Sequence, residues 1–244
     1  MGKLLTLSSL TLLAFAGTAA AANSGNISVS LSPNKVSKSS KLSVTASGFP
    51  AAGLPTSAQF TVQKGFISSA KSVPVLCSAA QASSNSCPAG SKIGSGSASV
   101  TGTYLGLTIP DTVSFSMFLG APSGGDIASV VVTGSDSYLH DTVTGSGLLQ
   151  KSAGGGLTLS FPHFPTIQNL PSGATITLNS LSLSASASRT AKITVGKGKH
   201  KKRKKVTYAL ITNPSTCAGS WTGSATVVFP SGPITKPLST SCTK

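Results

Sequence analysis

The stretch Ala174-Thr175-Ile176-Thr177-Leu178-Asn179-Ser180-Leu181-Ser182-Leu183-Ser184-Ala185-Ser186-Ala187 decides the fold. Ile176 and Leu178 share one parity, and Leu181, Leu183, Ala185 and Ala187 share the other. Apolar residues two apart mark a strand with one face buried and one face wet. The change of parity at Asn179–Ser180 means that one residue has been inserted. A β-bulge there returns the apolar face inward; a turn between two short strands is the competing reading.

The same period recurs along the chain. Ile27, Val29 and Leu31 alternate with Ser, and Val113, Phe115 and Met117, like Leu157, Leu159 and Phe161, alternate with Ser or Thr. Leu42 with Val44 and Phe60 with Val62 repeat it, while helical periodicity is almost absent. Among the 26 Gly and 14 Pro, many recur between the alternating runs, as in Phe49-Pro50-Ala51-Ala52-Gly53-Leu54-Pro55. Short strands punctuated in this way predict an all-β antiparallel fold, read as a β-sandwich of jelly-roll or Ig-like type with about 10 to 13 strands. Pro74 and Pro110 are assigned to strand ends or edges, because proline cannot donate to a ladder. A short helix is predicted within Ser78–Ser86.

Charge narrows the function classes. The chain has 244 residues, 19 Lys+Arg and 4 Asp+Glu, a formal charge of +15. Charged residues are 9% of the chain, against about 25% in an ordinary soluble domain. All four acids are Asp: Asp111, Asp126, Asp136 and Asp141. The 44 Ser and 27 Thr supply the wet face of the strands in place of charge. Long solvated helices are excluded by composition. Carboxylate chemistry is confined to four residues, and a zincin helix motif is impossible without Glu. No nucleophile elbow and no phosphate-binding loop appears. No catalytic residue, cofactor or metal is assigned. The richest titratable cluster is Asp136-Ser137-Tyr138-Leu139-His140-Asp141. It carries the alternative reading of a secreted hydrolase or carbohydrate-active enzyme. A loop-based ligand-binding module is the other alternative. His163, set among Phe and Pro, reads as part of a packed turn, and Trp221 as core.

Residues 1–22 read as a secretory signal peptide. Lys3 provides the positive start, Leu4 to Phe15 the apolar run, and Ala19 to Ala22 the small-residue cleavage site. No later run is apolar enough to span a bilayer. Residues 23–244 are read as one secreted domain, extracellular or held at the cell surface. Its four cysteines, Cys77, Cys87, Cys217 and Cys242, predict disulfides in an exported chain. Nearness in sequence favours the pairs 77–87 and 217–242.

Residues 197–205 concentrate the charge: Lys197, Lys199, Lys201, Lys202, Arg203, Lys204 and Lys205. Ile193 and Val195 precede them, and Val206, Tyr208 and Leu210 follow. The pattern predicts a hairpin whose basic loop covers 196–205. Such a loop docks on anionic wall polymers, anionic lipids or extracellular DNA, or it solubilises the chain. The segment lacks the interleaved aromatics that specific nucleic-acid recognition uses, so none is assigned.

Three segments carry a resemblance. They are Val73-Pro74-Val75-Leu76-Cys77 with Cys87-Pro88-Ala89-Gly90-Ser91-Lys92-Ile93-Gly94, then Leu159-Ser160-Phe161-Pro162-His163-Phe164-Pro165, then Asn213-Pro214-Ser215-Thr216-Cys217-Ala218-Gly219-Ser220-Trp221 running on to Phe229-Pro230-Ser231-Gly232. Together they resemble secreted actinobacterial proteins of unknown function from Solirubrobacter-like soil bacteria, over roughly residues 66–232. The resemblance implies an extracellular, β-rich, disulfide-bridged unit. It implies no activity, and the basic run lies outside it. The reading is of a secreted, non-catalytic protein of the cell envelope or matrix.

Overall fold

A computed structural model describes residues 25–49, 53–138, 141–167, 170–196 and 201–244. Residues 1–22, read from the sequence as a signal peptide, lie outside them. The strands are β1 (Asn26–Ser32), β2 (Lys41–Ser47), β3 (Ser57–Val62), β4 (Lys92–Tyr104), β5 (Leu107–Gly120), β6 (Ala128–Asp136) and β7 (Thr142–Lys151). They continue with β8 (Leu157–Phe161), β9 (Thr166–Ile167), β10 (Thr175–Ala185), β11 (Ser188–Val195), β12 (Lys202–Ala209), β13 (Ser220–Phe229) and β14 (Gly232–Ser241). One short helix, α1 (Ala79–Ser83), is closed by a capping box between Ser78 and Gln81. No helix among the described residues is long and apolar enough to cross a membrane.

The all-β class holds, but the strands do not divide into two facing sheets. They pair along one path, β1-β2-β10-β4-β5-β6-β7-β8-β3-β13-β14, with β9 added against β7. The ribbon β11–β12 forms a second sheet by itself. Alternation records only that one face of a strand is buried, which is equally true of sandwich and barrel; the pairing partners decide between them.

Every pair on this path is antiparallel, so strand directions alternate. With eleven strands on the path, the first and the last must run the same way. β1 and β14 do lie side by side as the seam of a nearly closed barrel. Beyond them a parallel bridge joins Lys35 to Thr243, where Val36 N donates to Thr243 O at 3.0 Å and Thr243 N to Asn34 O at 2.9 Å. β14 carries Pro233 and Pro237, as an edge strand can. Pro110 likewise sits where β5 pairs with β4 but β6 has not yet begun.

The bulge predicted from the parity change is present. Leu178 pairs with Val100 and Ser180 with Ser99, so Asn179 is skipped and its Nδ2 donates to Thr101 Oγ1 at 2.8 Å. The two apolar halves of β10 thereby point into the same interior. Leu119, Val130, Ala225, Val227, Phe229 and Ile234 fill that interior, each at most 5% exposed. Phe115 pairs with Gly96 on one side and Gly134 on the other. The missing side chain of Gly96 leaves room for its ring, since a Cβ there would stand 2.5 Å from Phe115 Cζ; a Cβ on Gly134 would stand 2.1 Å from Ser114 O and crowd the backbone of β5.

Candidate polyanion-binding end

Strict alternation of direction gives the barrel two chemically distinct ends. One end receives the connectors 33–40, 63–91, 121–127, 152–156 and 186–219, and residues 242–244. The other receives 48–56, 105–106, 137–141, 162–174 and 230–231. The second set contains no Lys or Arg at all. Among the described residues, every Lys and Arg except Lys236 lies at the first end. Lys35 and Lys38, Lys64 and Lys71 are in its connectors; Lys41, Lys92 and Lys151 are terminal strand residues there. The ribbon and Lys244 complete the set. Three of the four acids, Asp111, Asp136 and Asp141, lie at or near the opposite end. Asp126, the one Asp at the cationic end, accepts from Gln150 Nε2 at 2.6 Å.

The ribbon grows from this end. Ala209 is buried at its root, and Ser69 N donates to Ala209 O at 3.1 Å. Lys71 Nζ stands 5.5 Å from the centre of the Tyr208 ring, a cation–π contact that steadies the base. Outward from there the flanking runs pair as a hairpin, from Ser188↔Ala209 to Val195↔Lys202. This corrects the extent of the basic loop. Lys202, Arg203, Lys204 and Lys205 belong to the ladder, not to a loop. Only Lys201 among the described cations precedes it, and Lys197, Lys199 and His200 lie outside the described residues. A strand accepts such a run because successive side chains turn to opposite faces. Lys202 and Lys204 share one face with Ile193 and Val195; Arg203 and Lys205 share the other with Lys192 and Thr194. Lys192 stands directly opposite Lys205, a like-charged pair that an anion between them would relieve. Lys192 and Lys202–Lys205 are all exposed.

Two disulfides and a buried amide fix the connectors of the cationic end. Cys77–Cys87 and Cys217–Cys242 form, the pairing that sequence nearness favours. Asn213, 1% exposed, donates through Nδ2 to Lys35 O at 2.8 Å and Pro33 O at 3.0 Å. Its backbone N donates to Lys38 O at 2.9 Å. The segment bearing Lys35 and Lys38 is thus held in place by its backbone while its ammonium groups stay available. Trp221 is 2% exposed, donates through Nε1 to Thr216 O at 2.9 Å, and meets Phe66 edge-on at 5.6 Å between ring centres. It is core, as read.

Two of the three carboxylates at the far end, those of Asp111 and Asp136, are engaged with the backbone. Asp136 is buried, accepts from Tyr138 N at 3.0 Å and from Asp141 N at 2.7 Å, and so closes the β6–β7 connection. Asp111 accepts from Thr112 N at 2.6 Å and from Ser137 N at 3.2 Å. His140 lies outside the described residues, and His163 is exposed. No group of three or more His, Cys, Asp or Glu among the described residues is placed to hold a metal.

The residues that sequence reading missed are the scattered cations: Lys35, Lys38, Lys41, Lys64, Lys71, Lys92, Lys151, Arg189, Lys192 and Lys244. A signal for them exists in the chain. Connector Lys and Arg occur only in alternate connectors, although 121–127 and 152–156 carry none, and antiparallel strands deliver every second connector to one end. No protein-family model matches the chain, and neither a characterised protein nor a solved structure matches it.

Proposed function

We infer that this is a secreted, non-catalytic protein of the cell envelope or extracellular matrix that docks by one end on a phosphate-bearing anionic polymer. The observation that carries the reading is the segregation of charge: nearly all described cations gather at one end of the barrel, while the other end holds acids and no Lys or Arg. Disulfides between all four cysteines accord with an oxidising, extracellular setting. The resemblance to secreted actinobacterial proteins belongs to the same proposal.

The mechanism is electrostatic. An array of unpaired cations raises the local concentration of a polyanion and steers it to one end. Binding releases counterions, so affinity falls steeply with salt. The ribbon offers cations on both faces, which lets it lie between two anionic segments rather than on one flat surface. The engaged Asp111 and Asp136 carboxylates give the hydrolase alternative no support.

The test is retention of the mature chain on an immobilised polyphosphate resin over a salt series. A variant with Lys202, Arg203, Lys204 and Lys205 all replaced by Ser should elute at lower salt. Its slope of log affinity against log salt should be shallower by about 3, at roughly 0.7 per lost contact as for a single-stranded polyanion. Equal elution of the two proteins at every salt concentration sinks the docking role of the ribbon.

A further inference from the structure

The barrel interior is not filled to the density of an ordinary core. Two cavities, of about 140 Å³ and 100 Å³, lie inside it. A layer of Phe60, Met117, Phe161 and Leu183 borders both and separates them. Protein interiors close such gaps, because empty space forfeits contacts. Here the short side chains of Val44, Val130 and Ala185 stand in the wall of the larger cavity and leave it open.

The two cavities differ in where they meet the edges of the sheet. The wall of the larger includes Val29 and Leu31 of β1 and Leu238 and Thr240 of β14, the two strands of the seam. The smaller touches β1 at Ile27 and has no residue of β14 in its wall. β1 pairs only with β2 and β14 only with β13, so no ladder closes the barrel beside the larger cavity. Elsewhere around the wall a strand moves aside only by breaking ladder hydrogen bonds; at the seam no ladder has to break. One residue past Thr240 the seam is latched. Asn34 Nδ2 donates to Ser241 O at 3.2 Å, next to the bridge between Lys35 and Thr243. The seam is therefore the route of least cost into the interior.

The wall also selects its guest. It holds no charged side chain among the described residues. Thr222 and Ser239 border the cavity, but their parity is opposite to that of the buried Trp221 and Leu238, so they turn outward. Thr222 Oγ1 is engaged with Gln63 Oε1 at 3.0 Å. Thr240, at the seam, is the one hydroxyl of inward parity. A dry, apolar-walled cavity of about 150 Å³ admits a guest the size of benzene, and the larger cavity comes close to that volume.

We propose that the larger cavity binds one small, uncharged, hydrocarbon-like molecule of about the size of benzene, which enters and leaves through the β1–β14 seam. The site makes no use of the ribbon, so it stands or falls apart from polyanion docking.

Benzene is the probe. Calorimetric titration of the mature chain should show saturable binding of one benzene per protein, and the unfolding midpoint should rise with benzene concentration. Benzoate, the same ring with a charge, should not bind, since the wall offers it no partner. Ala185→Leu adds three carbons to the wall and should bind benzene about tenfold or more weakly, because guest and added methyls compete for one space. Val44→Leu adds one carbon and should weaken binding less. Both variants should unfold cooperatively, which separates lost binding from a lost fold. Asn34→Ala releases the latch. Exchange spectroscopy should then show benzene entering and leaving about fivefold faster at unchanged Kd, the worth of one neutral hydrogen bond. Absence of saturable benzene binding by the native chain overturns the site. So does benzoate binding as tight as that of benzene, or a benzene affinity unmoved by both Ala185→Leu and Val44→Leu. Unchanged exchange rates in Asn34→Ala overturn the seam as the way in.

Discussion

Two long hairpins of this molecule, β4–β5 and β11–β12, share a secondary structure and almost nothing else. β4–β5 lies inside the main sheet, with β10 along one flank and β6 along the other. β11–β12 pairs only with itself and touches the rest of the protein near its root. The first ends in Tyr104, Leu105, Gly106 and Leu107, uncharged, with Leu105 83% exposed. The second carries Lys202–Lys205 and no acid. They leave the barrel at opposite ends. Burial therefore holds the first hairpin, whereas the second has only its ladder, its Thr190–Thr207 hydroxyl pair at 2.9 Å and its anchored base. An isolated two-stranded hairpin is marginal in water. A ribbon like this one is free to carry repelling charge because little of the fold depends on it.

The comparison can be broken most severely at Gly134, beside the buried part of the first hairpin. Gly134→Val drives a side chain against Ser114 O and the Phe115 backbone. It should cost about 3 kcal/mol or more, as overpacking does at its worst, read as the denaturant midpoint. Lys204→Ser in the ribbon should leave that midpoint unchanged. If the two variants unfold alike, the separation between a structural and a dispensable hairpin is wrong.

The bridges come next. Replacing both Cys217 and Cys242 with Ala should cost about 3 kcal/mol in the loop-entropy account. Their sequence separation is 25, against 10 for Cys77 and Cys87. Removing the shorter bridge should therefore cost less, by roughly 0.8 kcal/mol. Thermal unfolding of the two double variants measures the difference, and a reversed order would show that strain or residual structure outweighs loop closure.

A smaller effect, of the opposite sign, is expected at the exposed tip. Leu105 has φ 49° and Gly106 φ 79°, the left-handed pair of a type I′ turn. A branched side chain pays about 1 kcal/mol for that conformation, which Asn adopts readily. Leu105→Asn should raise stability by up to about 1 kcal/mol and leave polyphosphate retention unchanged, since the tip is at the far end. Loss of retention in this variant would place the acidic end in the docking surface.

Least of all is expected from Thr190→Val, which removes the hydroxyl pair on the ribbon. Its cost, under about 1 kcal/mol, should appear as faster amide exchange confined to 188–209, with no shift in global unfolding. Faster exchange spreading into β10 or β13 would show that the ribbon is coupled to the barrel after all.

How far these features were legible in the chain depends on the range of the interaction. Period-two alternation placed the strands, because burial of one face acts on each strand separately. The parity slip at Asn179 marked the inserted residue for the same reason, while the pairing of β10 with β4 chose a bulge over a turn, and the short helix after Cys77 follows from local capping. The two bridges followed from nearness along the chain. The basic run at 197–205 was plain, but its division between loop and ladder was not. A strand's register comes from its partner, and Lys202–Lys205 carry no apolar alternation to announce it.

By itself, then, the sequence determined an all-β chain, the residue inserted near Asn179, the favoured disulfide pairs and one cationic segment, all set by neighbours near in the chain. Only the tertiary structure decided that the strands form one sheet curling to a β1–β14 seam, since pairing is chosen among distant segments. It alone gathered Lys35, Lys41, Lys64, Lys92 and Lys151 at the ribbon's end, because alternate strand ends meet only when the sheet is assembled. It alone set the larger of two cavities against that seam, because a void belongs to no residue and exists only between those that pack around it.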